Sequence, residues 1–159
     1  MNDAGNTGPL DRAAVALFWG SALAGVLLPP LSLMLAKQRP PVQVLGEFWH
    51  SFTGAEPGFA LLTALHAAVF VAYGVFALLH LGRAPVDDAP RAARRLGGAL
   101  GAGLLLVGVS LWVDTSIFAS RSSTAAIGFL LMPIYLVVAA ALGYGIGRML
   151  GASLARRAA

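Results

Sequence analysis

The sequence predicts an all-α integral membrane protein: four transmembrane helices in one bundle, with a short amphipathic interfacial helix in the first outer loop. Three observations predict this. Four apolar stretches, residues 13–36, 58–81, 96–113 and 122–147, contain no Lys, Arg, Asp or Glu. A helix needs roughly 20 apolar residues to cross a hydrocarbon core of about 30 Å, and the third stretch approaches that length when its helix is taken from residue 93. The composition is 58% hydrophobic and only 11% charged, against about 25% charged in an ordinary soluble domain. Short charged loops separate the stretches, so residues 1–159 read as a single membrane domain.

The first stretch is expected to be a retained span rather than a cleaved signal. The residues before it carry Asp3, Asp11 and Arg12, and it ends Leu33-Met34-Leu35-Ala36-Lys37, without the small residue that a cut after Ala36 requires three positions upstream. Within it lie Pro29 and Pro30. Each removes a backbone donor and frees a carbonyl four residues earlier, at Gly25 and Val26. Ser32 is near enough in sequence to serve those carbonyls.

The loop from Lys37 to Pro57 is long for a simple connection. Leu45, Phe48, Trp49 and Phe52 follow one helical face, with Glu47, His50 and Ser51 elsewhere around it, as in a helix lying at the membrane interface. Phe48, Trp49 and Phe52 are its candidate contacts with the membrane or with a partner.

The second span carries His66, Tyr73 and His80. Seven-residue steps keep them close to one face. An ionisable residue as deep as His66 is costly unless it faces the bundle or water. A histidine pair on one membrane helix also raises bis-histidine haem. Each haem would need a second axial histidine, and no other span has one, so the chain is expected to hold no cofactor. The absence of Cys removes thiolate metal sites and thioether haem attachment. No metal-binding or catalytic motif is present.

The third and fourth spans are rich in small residues at four-residue spacing: Gly97 and Gly101, Ala99 and Gly103, then Gly143, Gly147 and Gly151. In lipid such spacing permits close backbone approach, which drives helix association. The expectation is packing inside the bundle, with the Gly143, Gly147, Gly151 stripe as a candidate contact with a second copy or a partner. Gly20 and Ala24, and Ser21 and Gly25, follow the same pattern in the first span. The glycine-rich segments lack the Gly-Lys-Ser/Thr ending and the strand context of phosphate loops. Between these two spans, Asp114 is read as closing the third and Arg121 as preceding the fourth, the two paired across the turn, with Ser122, Ser123 or Thr124 as helix cap. Pro133 and Tyr135 lie in the first half of the fourth span.

Orientation follows from the eleven basic residues. Arg12, Arg83, Arg91, Arg94, Arg95, Arg148, Arg156 and Arg157 fall on one side; Lys37, Arg39 and Arg121 fall on the other. The excess places both termini in the cytoplasm, in a bacterial inner membrane. The basic residues sit at span ends rather than on one face, which suits anionic headgroups and argues against nucleic acid.

His66, Asp114, Arg121, Ser32 and Tyr135, with Glu47 or His50 nearby, would gather at the outer ends of the spans as a polar pocket opening outward. With no catalytic constellation, the expected role is a non-enzymatic interaction protein. It would be an accessory subunit or an immunity-type protein, bound to another membrane or periplasmic protein or to itself. The alternative is an oligomeric small-solute transporter or channel that uses the outer pocket as its entry.

Overall fold

The computed structural model describes residues 8–53, 57–82, 89–120 and 125–158. They form five helices: α1 Pro9–Lys37, α2 Pro41–Thr53, α3 Pro57–Gly82, α4 Ala89–Ala119 and α5 Ala125–Ala158. All but α2 are long and apolar enough to cross a membrane, so the chain is a multi-pass membrane protein built as a four-helix bundle. The start of α1 and the end of α5 lie at one end of the bundle, the side of the termini, and α2 lies at the other.

Gly8 begins α1: its backbone N–H donates to Asp11 Oδ2 at 3.2 Å, satisfying one donor that a helix start leaves open. The helix continues through Pro29 and Pro30, both buried. Ser32 does not serve the carbonyls they free, because its buried hydroxyl makes no hydrogen bond. The helix stops at Gln38, whose left-handed backbone (φ 51°) turns the chain toward Pro40 and Pro41. Pro41 opens α2 as its first residue, where the missing N–H costs nothing.

The amphipathic helix of the first loop is therefore present as α2. Val44 is fully buried and Phe48 half-buried, whereas Leu45 and Trp49 are exposed. Arg39 and Glu47 pair on its flank. The side chain of Phe52 lies outside the described residues.

Two helix pairs make up the bundle. The most extensive contact joins α4 to α5 and the next joins α1 to α3, while α3 touches α4 and α5 only lightly. Glycine explains both close pairs. A Cβ on Gly25 would stand 3.0 Å from Phe70 Cβ, and one on Gly74 would stand 3.1 Å from the Phe18 ring. Gly97 lies against Gly147, Gly101 against Gly143, and Ala93 against Gly151, backbone to backbone. Gly143, Gly147 and Gly151 of α5 are buried against α4 of the same chain, so the stripe proposed for a partner already faces an internal helix. Gly20, by contrast, faces open space.

The core unites all four spans through Leu28, Phe70, Tyr73, Leu106, Met132 and Leu136. Outward-facing residues such as Trp19, Leu104 and Leu130 are large and apolar, as a lipid-facing surface requires.

One boundary differs from expectation in a way that matters for the site. Asp114 does not end the third span: α4 runs on to Ala119. Charge interrupts a hydropathic run without interrupting backbone hydrogen bonding, so the helix passes through the carboxylate.

Candidate functional site

Asp114 is fully buried, and so are Ser110 and Ser32; His66 is only 3% exposed. Ser110 precedes Asp114 by one helical turn, which places both side chains on the same face of α4. Its hydroxyl donates to Asp114 Oδ2 at 3.3 Å and lies 3.3 Å from His66 Nε2 on α3. A hydroxyl has one proton, so while Ser110 donates to Asp114 its oxygen accepts from His66 Nε2–H. The other ring nitrogen, Nδ1, stands 3.3 Å from Met132 Sδ on α5. Three helices thus converge on one histidine, whose ring also stacks on Phe70 at 5.2 Å. The chain runs His66, Ser110, Asp114, and its spacing is long for hydrogen bonds between such groups.

The carboxylate is only half satisfied. Asp114 Oδ1, Thr115 Oγ1 and Ser32 Oγ are buried without a hydrogen-bond partner. Helix register brings the three to one level. α1 and α4 run parallel, and Ser21 shares a groove with Leu104. Eleven residues further along each helix, about three turns, come Ser32 and Thr115. Unsatisfied buried polar groups cost roughly 1–3 kcal/mol each.

Of the residues expected to form an outward pocket, His66 and Asp114 are linked through Ser110, and Ser32 lies at their level. Arg121, with the capping residues Ser122, Ser123 and Thr124, lies outside the described residues. Tyr135 is elsewhere: it is 47% exposed and lines a groove of about 930 Å³ between α4 and α5, with Trp112 and Ser116. His50 is exposed, and Glu47 pairs with Arg39. The cluster is therefore a closed polar core rather than an open pocket.

Sequence reasoning missed Ser110. Its signal is the four-residue step from Ser110 to Asp114, which shows only when the helix is carried through Asp114.

The seven-residue series on α3 is matched rung by rung. Tyr73 donates its hydroxyl to the Ala99 carbonyl at 2.6 Å, beside Gly103, where a Cβ would stand 2.7 Å from the same oxygen. His80 Nε2 lies 3.0 Å from the Tyr144 hydroxyl on α5. Among the described residues no group of three or more His, Cys, Asp or Glu side chains is placed to hold a metal. Comparison with protein-family models, curated proteins and solved structures finds no match.

Proposed function

We propose that the chain is a non-enzymatic membrane protein that works by binding, as an accessory subunit or immunity-type partner of another protein in or at the membrane. The observation that carries this reading is where polarity lies. The groups able to do chemistry, His66, Ser110 and Asp114, are sealed inside, while the surface grooves offered to other molecules are apolar and lie between spans. A reaction centre needs access for a substrate; a binding surface needs shape. Trp49, exposed on α2, and the α4–α5 groove lined in part by Trp112 and Tyr135 are the surfaces such a partner would meet. The basic residues argue for both termini in the cytoplasm of a bacterial inner membrane.

Native mass spectrometry of the protein, extracted gently from its host membrane, tests the reading. A stoichiometric second protein supports it, and the chain alone or only with itself counts against it. Because the sequence has no Cys, single cysteines placed at Trp49 and Ser153 test orientation. Labelling from outside at Trp49 but not at Ser153 is expected.

A second reading, transport of a small polar solute through an oligomer, is favoured by one observation: the three unpartnered polar atoms at the level of Asp114. A hydrated interior is what a permeation path needs. Solute flux into vesicles containing the purified protein, lost in Asp114→Asn, would establish this reading over the first.

A further inference from the structure

We infer that the groove between α3 and α5 seats an anionic glycerophospholipid from the leaflet on the side of the termini, one acyl chain along the groove and the phosphate at Arg95 and Arg148. The groove exists because α3 and α5 barely touch. It holds about 590 Å³ between Ala68 and Ala72 on one wall and Ala140 and Ala141 on the other, over Ala102 and Leu106. That volume falls within the range of roughly 300–1,000 Å³ usual for ligand clefts. Its lining on α3 extends from Leu65 to Phe76, about 16 Å at 1.5 Å per residue. One leaflet contributes about 15 Å of hydrocarbon. The alanine walls leave room for a hydrocarbon chain.

The end of the groove toward the termini is polar and cationic. Tyr144, the last residue of the lining on α5, bonds His80 Nε2, and Phe76 stacks on His80 at 5.1 Å. Arg148 lies 5.6 Å from the centre of the Tyr144 ring, and Arg95 Nη1 reaches the His80 carbonyl at 3.5 Å. Gly98 makes room for this group: a Cβ there would stand 2.7 Å from the Tyr144 ring and 2.8 Å from Arg148 Cγ. Among the described residues the acidic side chains bond elsewhere, Asp11 to Gly8, Glu47 to Arg39 and Asp114 to Ser110. Each guanidinium carries five N–H donors, and its planar fork suits phosphate oxygens. An apolar trough about one acyl chain long, with two arginines beyond its Phe76 and Tyr144 end, matches a lipid with a charged phosphate better than a neutral lipid.

The test is native mass spectrometry of the purified full chain with equimolar phosphatidylglycerol and phosphatidylcholine of matched acyl chains. Retention of phosphatidylglycerol by about thirtyfold over phosphatidylcholine is expected, the order of effect two basic side chains exert on an anionic lipid. The double variant Arg95→Gln, Arg148→Gln should lose that preference, and Arg95→Lys, Arg148→Lys should keep part of it. Ala72→Leu, which fills the trough, should reduce retention of both lipids with helix content unchanged. Glycerol phosphate, which has no tail, should not compete. Equal retention of the two lipids by the unaltered protein would overturn the inference. So would a preference that survives the glutamine variant, or competition by glycerol phosphate.

Discussion

Gly101 and Gly143 face each other across the α4–α5 contact so closely that a Cβ on either would run into the other's carbonyl oxygen. The same holds one turn away for Gly97 and Gly147. Overpacking a close contact costs about 1–3 kcal/mol, and here the obstacle is backbone, which cannot rotate aside as a side chain can. Gly143→Ala should therefore lower the thermal unfolding midpoint of the purified protein, and Gly143→Leu should prevent accumulation of folded protein. Gly20→Ala, with open space around it, should change neither.

Ser110→Ala tests the polar chain. It removes the hydroxyl that joins His66 to Asp114 and leaves Asp114 Oδ2 as unpartnered as Oδ1 already is. The cost expected is about 1–3 kcal/mol for the newly orphaned group, measured by unfolding in mild detergent. Asp114→Asn keeps the shape and should leave membrane insertion and yield intact. If the protein acts by binding, its partner should still co-purify with this variant; if it carries a solute, flux should fall. His66→Ala should follow Asp114→Asn in whichever assay responds.

For Tyr73→Phe a smaller effect is expected. Hydrogen bonds between membrane helices average about 0.6 kcal/mol, because alternative partners remain in the unfolded state. Gly103→Ala should cost more than losing the bond itself, since its Cβ would stand 2.7 Å from the Tyr73 oxygen. Comparing unfolding midpoints of the two variants checks that order, and adding Tyr73→Phe to Gly103→Ala should relieve part of the damage.

Helix α2 depends on Val44, its fully buried side chain. Val44→Ala removes two carbon groups, worth roughly 1.5 kcal/mol, and should speed proteolytic cleavage around α2 while the spans stay protected. Trp49→Ala should leave that protection unchanged, because Trp49 is 71% exposed. Limited proteolysis in membrane vesicles reads both.

Hydropathy alone located the spans, because lipid imposes one length and one polarity on any helix that crosses it. It misjudged helix ends wherever polarity and helicity part company. Asp114 ends an apolar run but not α4, and α5 continues past its own apolar run through Arg148, Arg156 and Arg157. Periodicity gives α2 an apolar face but does not tell Val44, which the bundle buries, from Leu45, which stays exposed. His66 and Asp114 were legible as site residues by chemistry alone. Ser110 was not, since a lone serine in an apolar helix ordinarily bonds its own backbone, as Ser116 does to the Trp112 carbonyl at 2.7 Å. Tyr135 was misplaced because nearness in sequence to a proline says nothing about which side of the helix a residue takes.

The α3 column of His66, Tyr73 and His80 has a mechanical consequence. Each of the three reaches across from the α1–α3 pair to the α4–α5 pair, at Ser110, Ala99 and Tyr144 in turn. Elsewhere the boundary between the pairs is largely apolar. The column acts as a row of clasps at two-turn intervals. A shear of one helical turn between the pairs would unfasten all three together, so the seam has one preferred alignment and no graded series of neighbours.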